Sequence, residues 1–415
     1  MFMIKINLDV LPQKVRKEVF RIRDIAKSFG YSSYIVGGAI RDIILKKEII
    51  DIDILILGNA IKVAEQYQSI YHSNVKFFKH FLSARIPIDD KQVKEIDLIS
   101  ARRESYENPG SLPSVIFGSL EEDLARRDFT INTLAYHLED GEIIDIFGGI
   151  EDLEQGVIRV LKRGSFIEDP TRLLRAIRYK NRYHFFYDAL TYSCLLEAIK
   201  ENCLALVSNE RVKKELFKTL QEDDIIPIIL EYKKLGILYK VFFIKDLSPN
   251  QIKSFKDIYL YRKSEDILLT HLLILYADTS QEAIYHFCEH YSIKQSTFNM
   301  ILHTRWLLNQ IKSIKDMDLT PWQIYNLFSD LSPEQLLVIK LFHPYSVKYI
   351  EYFDNYLKDV HLLTDGQLLQ NLGLKPGPNY SLIFKELLQK KLEMGWTKKE
   401  EEIDYIKQNI DKWRS

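Results

Sequence analysis

The sequence predicts an α+β domain, a small mixed sheet with helices over residues 1–165, followed by an all-α remainder. Short β-branched runs with period-two alternation cluster before residue 165. Beyond it strand signals nearly vanish, and helix-period segments follow one another to the end. The length, 415 residues, exceeds what one small core accommodates, so two to four domains are expected.

In chain order, 33–36 reads as a short strand ending in a Gly37-Gly38 turn, then a helix through Lys46. Residues 51–57, 81–88 and 93–100 read as strands, the first alternating at its start. Asp140-Gly141 marks a turn between 134–138 and 143–147, a hairpin. Residues 102–113, with Asn108-Pro109-Gly110 and Pro113, read as a long flexible loop of the kind that often carries function. Helices are expected over 170–183, 190–201, 210–221 and 226–235. Further on, 373–378 is a break between helices, and the charged run 398–402 is expected to be a solvated helical turn.

Apolar residues make up 46%, which excludes wholesale disorder. Cys194, Cys203 and Cys288 form no CxxC pair and no metal spacing, and are expected as reduced core thiols. Residues 1–5 lack a leader pattern, and the apolar run 268–277 is too short for a bilayer, so a cytoplasmic protein with no membrane contact is expected. A net charge of −1 does not advertise a nucleic-acid binder, although a local basic groove suffices for one. The 24 Tyr and 22 Phe are read as core before stacking platforms. The oligomeric state stays open, with a monomer favoured.

Three ingredients bear on chemistry. Asp51 and Asp53 stand two apart on an expected strand, so both carboxylates project from one face. Such a pair repels unless a cation intervenes, and Mg²⁺ suits oxygen ligands while leaving room for phosphate; a bare pair of this kind is more often a solvated strand end. Glu95 and Asp97 repeat the spacing on a neighbouring strand, where Asp97 can add a third ligand or be plain surface. The Gly37-Gly38 turn offers backbone N–H groups to a triphosphate, with Arg41 on the first turn behind it; a tight strand-to-helix connection is the bland alternative. Arg126-Arg127-Asp128 supplies guanidinium forks for phosphate, and Asp128 either buttresses an arginine or caps the next helix. Asp169, Arg172, Arg175 and Arg178 recur at spacing three, forming one slanted ridge on a helix. They are either a cap and a solvated ridge or a reader of base edges. Cytosine and adenine present an amino donor beside a ring-nitrogen acceptor; Asp169 can accept from the first and Arg172 donate to the second. Guanine and uracil reverse that pattern and leave groups unpaired, at about 1–3 kcal/mol each.

Six segments, Gly37-Gly-Ala-Ile-Arg-Asp42, Asp51-Ile-Asp53, 121–132, 145–149, 168–178 and 209–216, follow in an order and spacing that resembles the bacterial tRNA nucleotidyltransferase and poly(A) polymerase family, a branch of the polymerase-β-like nucleotidyltransferases. The likeness covers about residues 30–220, and 372–378 looks like a C-terminal segment of the same family. It implies a catalytic nucleotidyltransferase head (1–165), a helical neck that recognises the base (166–225), a helical body (226–360) and a helical tail that binds tRNA (361–415). It implies Mg²⁺ on Asp51 and Asp53; Asp97, from its own spacing, is expected as a third catalytic carboxylate. It implies that Gly38, Arg41, Arg127, Asp169, Arg172, Arg175 and Arg178 contact the nucleotide; Gly37, Asp128 and Asn132, within the same motifs, are expected in the nucleotide site as well. The implied reaction is attack of the tRNA 3′-hydroxyl on the α-phosphate of CTP or ATP, with release of pyrophosphate and no template. Addition of A alone, poly(A) synthesis and a catalytically silent RNA-binding protein on the same scaffold are the alternatives. The absence of an adjacent His-Asp pair argues against the metal phosphohydrolase activity of some relatives.

Overall fold

The computed structural model describes residues 6–258, 266–315 and 317–414; the N-terminal segment 1–5 discussed above lies outside them. Two compact units divide the chain, Met1–Val241 and Phe242–Ser415.

The first unit opens with α1 (Gln13–Ser28), whose buried stripe Val15, Val19, Ile22, Ile25 and Ala26 recurs at helical spacing. Then come β1 (Ser33–Val36), α2 (Gly38–Ile44), β2 (Ile52–Ile56), α3 (Ala60–Tyr71), β3 (Lys76–Phe78), β4 (Ser83–Pro87) and β5 (Glu95–Ser100). Next are β6 (Arg102–Ser105), β7 (Ser114–Phe117), α4 (Leu120–Ala125), β8 (Ala135–His137), β9 (Ile143–Ile144) and α5 (Gly149–Gln155). After β10 (Val157–Ile158) and α6 (Ser165–Glu168), α7 (Thr171–Tyr183) begins the helical part. It continues through β11 (Phe186–Tyr187), α8 (Ala189–Lys200), α9 (Asn209–Leu220), α10 (Ile226–Lys234) and α11 (Leu238–Phe242).

A seven-stranded sheet runs in the order β3-β4-β5-β2-β1-β8-β9. Only β2 and β5 pair in parallel within it; the other neighbours are antiparallel. All four residues of β1 are buried, as suits a central strand covered on both faces. Asp145 caps α5 by accepting from the N–H groups of Gly149 and Ile150 at 2.7 and 2.9 Å. A Cβ on Gly149 would stand 2.4 Å from the Thr130 carbonyl, so only glycine permits this approach.

In the first unit the sequence reading needs three corrections. The stretch 102–113 is not all loop: its first four residues form β6, paired with β7. Glu104 draws them in, as the shared partner of Arg102 and Arg126 at 2.9 and 3.0 Å. The run after Asp128 is no long helix but one tight turn, Thr130–Asn132, because the Asp128 carboxylate takes both the Phe129 N–H and the Asn132 amide. After residue 165 one short strand does occur, β11, which pairs in parallel with β10.

The second unit is helical: α12 (Pro249–Asp257), α13 (Ile267–Tyr276), α14 (Gln281–His290), α15 (Gln295–Ser313), α16 (Pro321–Phe328), α17 (Pro333–Phe342), α18 (Val347–Tyr352), α19 (Gly366–Asn371), α20 (Asn379–Met394) and α21 (Lys399–Arg414). One N-terminal device recurs on α12, α16 and α17: a Ser or Thr cap, proline next, and Gln at the third position returning the hydrogen bond. The segment 270–276 of α13 is buried on all sides, so this helix is the unit's interior. No described helix is long and apolar enough to cross a membrane.

The run 398–402 is not simply solvated, because Glu402 is fully buried. It accepts from the N–H groups of Leu363 and Thr364, the Thr364 hydroxyl and the Lys391 ammonium, at 2.6–3.1 Å. Burial alone would raise its carboxyl; Lys391 and these donors outweigh that and hold it below the usual carboxylate range. The carboxylate therefore stabilises the fold above the unfolded value and loses that contribution as pH falls through the lowered one. Glu402→Ala is expected to cost about 3 kcal/mol, because it leaves Lys391 buried without its counter-ion. Chemical denaturation, with hydrogen exchange at the Leu363 and Thr364 amides, measures this.

Candidate active site

Pairing register builds the acidic end of the site. One rung of the sheet carries Arg85 on β4, Asp97 on β5, Asp53 on β2 and Val36 on β1. Asp97 is held by Arg85 through two hydrogen bonds of 2.7 and 2.9 Å. Asp53 accepts no side-chain or backbone hydrogen bond among the described residues, nor does Asp51, which is exposed just before β2. Burial pushes Asp53 up to about 6; Arg127 opposes the shift, and the like charges of Asp97 and Asp51 add to it. No group of three or more metal-ligating side chains occurs among the described residues. Mg²⁺ can be held by one or two carboxylates and completed by phosphate and water.

The glycine turn follows β1. Gly37 has φ +72 and ψ −134, a conformation reserved for glycine, and a Cβ there would stand 2.7 Å from Nη1 of Arg127. The guanidinium of Arg127 thus lies against the turn, held by Asp123 at 3.0 Å. Asp123 is fully buried and also holds Arg126 at 2.6 Å. Arg41 is buried behind the turn, where it donates to both oxygens of Asp42 and to Asn132. The intended Asp128 buttress exists: its carboxylate pairs with Arg175 at 3.1 Å. Burial would raise Asp128, but Arg175, the Asn132 amide and Arg172 outweigh it, leaving the carboxyl below its ordinary range.

The ridge on α7 is buried rather than solvated: Arg172 and Arg178 are each 4% exposed. Asp169 stands just before Pro170, the N-cap of the helix, and its Oδ1 takes the N–H and hydroxyl of Thr171 at 3.1 and 2.6 Å. The same oxygen accepts from Arg211 on α9 at 2.9 Å, and Oδ2 from Arg175 at 3.1 Å. Arg172 donates through its two terminal nitrogens to Ser165 and the Arg126 carbonyl, at 2.8 and 2.7 Å. Its Nε stands 4.0 Å from Asp169 Oδ2, a donor beside an acceptor. Arg178 is held by Glu215 at 2.8 Å. The Nε groups of Arg127, Arg172, Arg175 and Arg178 are buried without an acceptor, a rare condition in folded proteins.

These pieces line one cavity of about 760 Å³. Of the residues singled out from sequence, Gly37, Gly38, Arg41, Asp51, Asp53, Arg127, Asp128, Asn132, Asp169, Arg172, Arg175 and Arg178 all face it; Asp97 does not. Nine arginines and Lys218 line it against seven carboxylates, which favours a polyanion. Sequence reading missed Glu104, Tyr106, Tyr179, Arg182 and Arg211. Arg211 lies in the segment 209–216, yet its target is set by the packing of α9 beside α7. It also donates to the Gly110 carbonyl at 2.7 Å, joining the 106–113 turn to Asp169. Gly110 has φ +74, and a Cβ there would meet the Leu206 carbonyl at 2.6 Å, so glycine is required.

Residues 33–159 match the model of the Poly A polymerase head domain. The chain is 35% identical over 324 residues to the A-adding tRNA nucleotidyltransferase of Aquifex aeolicus, a match covering 74% of this chain and 39% of that protein. The chain thus spans less than half the length of that relative. It is 30% identical over 378 residues to the CCA-adding enzyme of Limosilactobacillus reuteri, covering 86% of this chain and 88% of the relative. A solved structure of a CCA-adding enzyme in an apo form superposes with a TM-score of 0.77 at 25% identity, covering 99% of this chain and all of that one. With most of the length of the Limosilactobacillus protein matched at this identity, the chain belongs to the CCA-adding enzyme family of tRNA nucleotidyltransferases.

Proposed function

We propose that the chain is a cytoplasmic enzyme that adds C and A to the 3′ end of tRNA from CTP and ATP, without a nucleic-acid template. One observation carries the reading: the carboxylates of Asp51 and Asp53 line the same arginine-rich cavity as the Asp169–Arg172 pair. Residues 1–165 serve as catalytic head, 166–225 as base-reading neck, and 226–360 and 361–415 as body and tail for the tRNA. Addition of A alone is the second reading, favoured by the 35% identity to an A-adding relative.

In this mechanism Asp51 and Asp53 would hold Mg²⁺, which would supply Lewis-acid polarisation of the phosphates and of the attacking hydroxyl. Arg127 and the N–H groups of the glycine turn bind the triphosphate tail, so pyrophosphate leaves toward a cationic wall. The tRNA 3′ oxygen forms a bond to the α-phosphorus while the bond to the pyrophosphate oxygen breaks, and the hydroxyl proton passes to solvent. Asp169 accepts from the base amino group and Arg172 donates to the adjacent ring nitrogen. Both are already fixed by buried partners, so selection costs little reorganisation.

Four outcomes are expected. Wild-type enzyme given tRNA lacking CCA, CA or A, with each labelled triphosphate, incorporates C then A; incorporation on the A-lacking tRNA alone establishes the second reading, and none on any tRNA refutes both. In the same assay Asp51→Asn and Asp53→Asn lower addition by about 10³-fold while tRNA affinity holds. Arg172→Ala relaxes discrimination against GTP and UTP by about 10- to 100-fold, read as the ratio of kcat/KM values. Because Asp53 is pushed up to about 6, it is protonated below that pH and the grip on Mg²⁺ loosens. The concentration of Mg²⁺ for half-maximal activity therefore rises as pH falls from 7 to 5.

A further inference from the structure

We infer that Tyr179 and Tyr183 are positioning residues that fix the phosphate-side glycine turn relative to the base-reading end of α7, an inference that rests on the function proposed above. The two tyrosines stand four apart on the C-terminal half of α7, hence on one face. The guanidinium carbon of Arg41 lies 5.0 Å from the centroid of each ring. Arg41 belongs to α2, directly after the Gly37-Gly38 turn. Its edges are also engaged: Nε and Nη2 donate to Asp42 at 2.9 and 2.8 Å, and Nη1 donates to Asn132 at 2.6 Å. The Tyr183 hydroxyl donates to the same Asp42 carboxylate at 3.0 Å. With both rings on one side of it, their centroids 6.0 Å apart, and its edges on Asp42 and Asn132, Arg41 is a wedge more than a free phosphate fork. A Cβ on Gly38 would stand 3.2 Å from Arg41 Nη2, so the wedge bears directly on the turn.

One helix thus meets both ends of the nucleotide site. Arg172 and Arg175 lie in its first half beside Asp169; Tyr179 and Tyr183 grip the head at its far end. Eleven residues from Arg172 to Tyr183 make ~16 Å of helix, a rigid spacer between base edge and triphosphate turn. Cation–π contacts strengthen when desolvated, and both Arg41 and Tyr183 are buried. Loss of the rings leaves the base contacts in place and lets the turn drift, which penalises the chemical step more than binding.

The test compares Tyr179→Leu/Tyr183→Leu with Tyr179→Phe/Tyr183→Phe, using full-length chain, truncated tRNA and ATP or CTP. The leucine pair is expected to lower kcat about 30-fold with the nucleotide KM within about threefold of wild type and with discrimination against GTP and UTP retained. The phenylalanine pair, which keeps both ring faces, is expected to restore kcat to within about threefold of wild type. Equilibrium binding of ATP reports whether the leucine pair is folded; if it is not, the single Tyr179→Leu, at a half-buried position, replaces it with the same criteria. Unchanged kcat in the leucine variant, or a phenylalanine pair as impaired as the leucine pair, overturns the inference while wild-type addition upholds the proposed function. A wild type that adds nothing to any tRNA overturns the function and the inference together.

Discussion

The buried carboxylate of Asp169 is the joint on which the neck side of the site depends. Oδ1 receives Thr171 and Arg211, and Oδ2 receives Arg175. One acidic group therefore ties together the start of α7, helix α9 and, through Arg211, the turn around Gly110. Arg175 carries the tie into the head, because its other terminal nitrogen pairs with Asp128. Buried arginines of like charge along one helix would repel; each here has an acidic partner from another element, Asp128, Asp169 or Glu215. The resulting lattice leaves several Nε groups without acceptors, so the network is complete for folding and incomplete in hydrogen bonding.

The sheet meets the opposite problem. Asp53 and Asp97 face each other in register across parallel strands, where two negative charges would be costly. Arg85 settles one of them by a bidentate pair, and Asp53 is left without a hydrogen-bond donor among the described residues and raised in pKa. A fold that wanted only stability would not keep an ionised carboxyl there. The proposed metal role explains why it is kept, and why Asp51 and Asp53 line the cavity while Asp97 does not.

Much of this was legible from sequence because the signals are local. The alternation around Asp53 gives strand β2, which begins one residue after Asp51, and the glycine pair gives the turn. The spacing of Arg172, Arg175 and Arg178 gives a single helical ridge. What escaped is what depends on tertiary partners. Strand β6 alternates charged residues, so its inward face shows only once Arg126 meets Glu104. Glu402 sits in a run that looks solvated, and its burial follows from Lys391 and the Leu363–Thr364 backbone. The engagement of Asp97 by Arg85 needs the β4–β5 register, and the reach of Arg211 needs α9 beside α7. Neither follows from spacing along the chain.

The central claim is that protein side chains, Asp169 and Arg172, stand in for a template base. A crystal structure of the enzyme with CTP or ATP tests it most directly. The account predicts the base amino group within hydrogen-bond distance of the Asp169 carboxylate, the neighbouring ring nitrogen facing Arg172, and the α-phosphate beside Asp51 and Asp53. A base seated elsewhere, with Asp169 and Arg172 still engaged only with protein partners, would contradict it.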